Sequence, residues 1–253
     1  MLIFIRLLPL LVGALNTLLF FLQARNPGSY PWLAIIAPVA LAGASIAVLW
    51  RRRRGSDDVR LMIPSFLALL VAGYGLLLAE HALALWIIPL VAGGISFVSL
   101  ELLFLSTFVS ARYPVNGLSH LNLTIVPLVL WLTAFTSVGL TVFLNMSRLV
   151  PLSAMTVVMF LLFYATSHAE AGRSARWRWA WLGAWLGVHV GILCAVLPVN
   201  LAMHGVIAAL IGSFAIRVRR YGMMPPIPRR LILVESMMAL IMLVAVCVTA
   251  QWV

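Results

Sequence analysis

Long apolar runs unbroken by charge, such as residues 32–50 and 120–143, follow one another along the whole chain. A helix needs about 20 such residues to cross the hydrocarbon core of a bilayer. Soluble domains carry roughly a quarter charged residues, whereas here charged residues make up 9% and hydrophobic ones 64% of 253 positions. No water-soluble fold could hide that much apolar surface, so lipid is the solvent that fits. The runs are continuous and do not alternate, which excludes a transmembrane β-barrel. The sequence therefore predicts an all-α, polytopic transmembrane bundle, a single integral membrane domain over 1–253.

Nine runs are long enough to consider as spans: about 2–23, 32–50, 61–79, 82–110, 120–143, 150–167, 179–196, 199–216 and 231–250. Explicit breakers separate several of them. Asn26, Pro27 and Gly28 turn the chain after the first, and Pro114 to Gly117 after the fourth. Pro151 opens the sixth, where its missing amide costs nothing. The fourth run is too long to stand upright in the membrane, so it tilts, kinks near Pro89 or starts as an interfacial segment. The first run is long for a cleaved leader and reads as an uncleaved span.

Positive charge fixes an expected orientation. With a cytoplasmic N-terminus, the inner segments hold Arg6, Arg51 to Arg54, Arg60, Arg112, Arg173, Arg176, Arg178, Arg217, Arg219, Arg220, Arg229 and Arg230. Only Arg25 and Arg148, of 17 basic residues, fall outside. This is the asymmetry that holds loops on the cytoplasmic side. Merging the seventh and eighth runs would place the 217–230 loop outside and reverse it. Nine spans, N-terminus in and C-terminus out, is the expected topology. Trp32, Trp86 and Trp252 then fall at the outer boundary and Trp50, Trp177 and Trp179 at the inner one, where indoles prefer to sit. The expected location is a bacterial cytoplasmic (inner) membrane.

The net charge of +11 belongs to these loops and does not point to nucleic acid. All basic residues are arginine, so a retinal Schiff base or a lysine nucleophile is impossible. Cys194 and Cys247 lie inside apolar runs and read as small buried hydrophobes. The loop around Met224, Pro225, Pro226, Ile227 and Pro228 favours a stiff extended strand, a spacer or a docking segment. No loop is long enough for a separate domain, and the odd number of spans argues against a simple inverted-repeat transporter.

The seventh run carries a packing motif. Gly183, Gly187 and Gly191 share one helix face, which lets a neighbouring backbone approach closely. The eighth offers Gly205, Ala209 and Ser213 at the same spacing, and a tight antiparallel hairpin of these two spans is expected. Ionisable groups at membrane depth are costly and mark candidate sites. Glu101 lies deep in the fourth run beside Phe97, Phe104, Leu105 and Phe108, as a proton or cation site or as a hydrogen-bonded structural acid. His189 and His204 fall at similar depths, so they read either as a metal or bis-histidine haem site or, more commonly, as lone histidines each bonded to a neighbouring helix. His189, however, points away from the glycine face. Glu80 and His81 could line an outward pocket with His204, or form a solvated turn. His168 and Glu170 read as a solvated loop, and Glu235 as an interfacial ion pair with Arg229 or Arg230. Thr133, Ser137 and Thr141 form a hydroxyl stripe that either lines a polar path or bonds its own backbone.

Familiar enzyme patterns, such as His-Glu-x-x-His, Gly-x-Ser-x-Gly and the phosphate loop, are absent. No catalytic residue and no cofactor is implied outright. Three functions stay open: a non-enzymatic subunit or assembly partner of other membrane proteins, a small transporter or channel using Glu101, and a haem- or metal-binding redox or sensor protein using His189 and His204.

Overall fold

A computed structural model describes residues 2–50, 59–109, 116–167, 173–222 and 229–249. The arginines expected at 51–54 and 112, His168, Glu170, Trp252 and the proline segment 224–228 lie outside them. Among the described residues the architecture is all-helical. We label the helices α1 Leu2–Arg25, α2 Trp32–Trp50, α3 Ile63–Leu76, α4 Ala82–Phe108, α5 Gly117–Phe143, α6 Leu149–Ala165, α7 Arg173–Val196, α8 Leu201–Gly222 and α9 Arg229–Thr249.

Six of these, α1, α2, α4, α5, α7 and α8, are long and apolar enough to cross a membrane. The run at 61–79 gives a shorter helix than the sequence suggests. At 14 residues, α3 rises only about 21 Å, against the roughly 30 Å of the hydrocarbon core. Hydropathy continues past its end, but the hydrogen-bonding pattern does not. The amides of Leu77, Leu78 and Ala79 bond back three residues, to Tyr74, Gly75 and Leu76, a tightened last turn that closes the helix. α6 has 17 residues; after it the Thr166 amide still bonds back four residues to Leu162, and the Ser167 amide three, to Tyr164. The long fourth run forms one continuous helix that contains Pro89.

The helices divide into two compact units, Met1–Ile125 and Val126–Val253, with the division inside α5. In the first unit α1 packs closely along α4. A methyl group added at Gly13 would stand 2.9 Å from the Phe97 Cβ and 3.2 Å from the Gly93 carbonyl. Gly93 faces Gly13 and Thr17 in return. α2 and α3 cross where Gly73 meets Ala34, whose Cβ would lie 2.7 Å from such a methyl. Glycine at these points lets backbones touch, the main source of helix attraction where lipid competes equally for apolar side chains.

In the second unit α7 packs along α6, and the glycine face makes that contact. A methyl at Gly183 would lie 2.7 Å from the Met159 carbonyl, at Gly187 2.6 Å from the Met155 carbonyl, and at Gly191 2.7 Å from the Leu152 Cα. The expected hairpin of α7 with α8 on this face is therefore corrected: the partner is the preceding helix. α8 uses its own glycines elsewhere. Gly205 makes room for the indole of Trp131, which stacks on Phe135 at 5.2 Å, and Gly212 for Leu130 and Met159. α9 rests on α8 and has no buried residue among those described.

Candidate functional site

Glu101 lies on α4, and α1 brings Arg6 to it. Arg6 Nη1 donates to Glu101 Oε1 at 2.5 Å, while its guanidinium carbon lies 5.1 Å from the centre of the Phe104 ring. The side chain of Glu101 is 22% exposed and that of Arg6 54%. The carboxylate of Glu101 thus has an arginine counter-charge within the same unit. Arg6 entered the sequence reading only as a topological charge, because nothing in one dimension pairs positions 95 apart.

A line of buried polar groups runs through the same unit. Asn16 Nδ2 donates to Ser96 Oγ at 2.8 Å, and Ser96 in turn donates to the Ala92 carbonyl. One turn along α4, Ser99 and Ser65 share a hydrogen bond of 2.7 Å. Gln23 Nε2 donates to the Gly73 carbonyl at 2.7 Å, tying α1 to α3 at the close crossing. Asn122 Nδ2 donates to the Leu61 carbonyl at 2.8 Å. The carboxamide oxygens of Asn16 and Gln23 are buried and find no protein partner among the described residues. Glu80 and His81, at the turn before α4, are both exposed.

The second unit holds the two histidines in different settings. His189 is exposed on α7; its Nδ1 faces the Trp185 carbonyl at 2.8 Å and its ring lies 4.3 Å from the Trp185 indole, tilted by 51°. His204 is buried, with Nδ1 3.0 Å from the Asn200 carbonyl and Nε2 3.1 Å from the Leu197 carbonyl. It fastens the α7–α8 connection to the first turn of α8, which Asn200 also caps by accepting the Met203 amide at 2.9 Å. A metal takes a nitrogen lone pair, and both nitrogens of His204 are directed at carbonyl oxygens. Among the described residues no cluster of three or more histidine, cysteine or carboxylate ligands occurs.

The hydroxyl stripe on α5 turns inward on its own helix. Thr133 donates to the Val129 carbonyl at 2.6 Å and Thr141 to the Ser137 carbonyl at 2.9 Å. Arg219 is a buried cation that the sequence did not single out. Its Nη1 donates to the Phe163 carbonyl at 2.7 Å, in the last turn of α6, and its guanidinium lies over the rings of Phe163 and Trp179. It thereby satisfies a helix end that would otherwise leave carbonyls bare. Glu235 accepts from Tyr221 Oη at 2.6 Å and lies 3.9 Å from Arg217, so its partners come from α8 and not from Arg229 or Arg230.

One cavity stands out in this unit, of about 1090 Å³. It lies where α5 and α7 end and α6 and α8 begin. Phe135, Val138 and Cys194 line its apolar part, and Asn145, Arg148 and Asn200 contribute polar groups. His204 lines it too, but Glu80 and His81 do not. No protein-family model, no curated protein and no solved structure matches this chain.

Proposed function

We propose that this chain is a nine-span protein of a bacterial cytoplasmic membrane, N-terminus inside and C-terminus outside, serving as a non-enzymatic subunit or assembly partner of other membrane proteins. The observation that carries this is the use already made of its intramembrane ionisable groups. Glu101 is engaged by Arg6, and His204 bonds two carbonyls. These engagements support reading both groups as internal structure, and so support a role for the chain's surface. α9 supports the reading: it rests on α8, and Leu233, Leu240 and Val248 are each more than 60% exposed.

Two measurements test this. Reporter fusions should place the 51–60 and 217–230 segments inside and the C-terminus outside; a cytoplasmic C-terminus would overturn the topology. A photocrosslinking residue at Leu240, activated in native membranes, should give one discrete protein adduct. Lipid adducts alone, together with proton flux in vesicles that disappears in Glu101→Gln, would overturn the role and favour a transporter.

A further inference from the structure

The cavity of the second unit has a composition that selects its occupant. Its deep wall is apolar, formed by Phe135, Val138 and Cys194. Its polar groups come from the α5–α6 and α7–α8 connections, with Asn145 turned into the left-handed region at φ 51°. Arg148 is the one charged side chain among the lining residues. The volume of about 1090 Å³ is just above the range that holds a drug-sized ligand, roughly 300–1,000 Å³.

Charge complementarity decides between a neutral and an anionic guest. The unit contains two acidic residues in sequence, Glu170 and Glu235. Glu170 lies outside the described residues. Glu235 is held by Tyr221 and Arg217 at the far end of α8 from His204. Among the described residues that line the cavity no carboxylate stands against Arg148. A guanidinium in this position suits a phosphate oxygen pair, and the wall behind it suits a hydrocarbon chain.

We propose that this cavity binds one anionic phospholipid of the bilayer, its phosphate on Arg148 and an acyl chain against Phe135 and Val138. The lipid would sit between the ends of α5, α6, α7 and α8 and bridge the two connections that close this end of the unit. The site is independent of the proposed assembly role, since it uses neither α9 nor Glu101.

The test uses the delipidated full chain in detergent, titrated with phosphatidylglycerol and with phosphatidylcholine, and read by native mass spectrometry. One phosphatidylglycerol per chain should bind saturably, about fivefold more tightly than phosphatidylcholine, the effect of one arginine near an anionic headgroup. Arg148→Gln should bring the two lipids to the same affinity. Ala202→Trp places an indole at the exposed edge of the cavity, away from the packed core, and should abolish saturable binding of both. Glycerol phosphate without a chain should fail to compete at millimolar concentration. Equal affinity for both lipids in the unaltered protein, binding that survives Ala202→Trp, or full competition by glycerol phosphate would each overturn the proposal.

Discussion

Replacing Gly187 by alanine adds one methyl group, and the structure says where it goes. The new carbon would lie 2.6 Å from the Met155 carbonyl oxygen, 2.7 Å from the Thr156 Cα and 3.0 Å from the Met155 carbonyl carbon. All three neighbours are backbone atoms of α6, so no side-chain rotation relieves the overlap. Non-bonded carbon atoms settle at about 3.5–4.0 Å, and the helices must separate locally by something near 1 Å. A gap of 0.5–1 Å already forfeits a quarter to a half of each contact along the seam, including those at Gly183 and Gly191. Overpacking of this kind costs about 1–3 kcal/mol. The control is Gly94→Ala, at a helix-interior glycine with nothing within 4 Å. There the better helix propensity of alanine should help by up to about 1 kcal/mol. Both variants are compared with the parent by denaturing-detergent titration of helical circular dichroism. Amide hydrogen exchange then localises the loss to residues 149–196 in Gly187→Ala. Equal stability of the two variants, or a loss outside α6 and α7, would refute the backbone-contact argument.

Three further outcomes follow from other contacts. Arg219→Ala should lower stability in the same titration by about 1.5–3 kcal/mol, the worth of a hydrogen bond to a charged donor, because the Phe163 carbonyl loses its cap; Arg219→Lys should recover only part of it. Gln23→Met removes the bond to the Gly73 carbonyl but also the buried oxygen that has no protein partner. Its net change in detergent titration should stay within about 0.6 kcal/mol, typical of a hydrogen bond between membrane helices. Burial, with a hydrogen bond to Tyr74, holds the Tyr30 hydroxyl above its ordinary range. A group whose folded pKa is raised contributes stability below its unfolded pKa, about 10, and loses it as pH rises beyond. Thermal unfolding followed from pH 8 to 11 should show an alkaline loss that Tyr30→Phe reduces.

How much of this was legible in the sequence depends on the kind of signal each feature leaves. Apolar runs and their breakers are local, and the helix-rich bundle, the Trp32 start of α2 and the Ala82 start of α4 could be read directly. Hydropathy reports the preferred solvent of a residue and nothing about where its amide bonds. The apolar run at 61–79 accordingly outlasts α3: Leu77 to Ala79 are apolar residues whose amides already belong to a closing turn. The glycine face of α7 was legible as a face, since three residues at a spacing of four settle that by geometry. Its partner was not, because small residues advertise room and leave the occupant open; the connection to α8 is short, yet α6 fills the room. The same limit separates Glu101 from its counter-charge. A deep carboxylate can be found by counting along one helix, whereas its character depends on what the antiparallel neighbour delivers, and α1 delivers Arg6. Lone intramembrane polar residues therefore mark where pairing must happen, and only the packed helices decide whether the partner is a ligand or the protein itself.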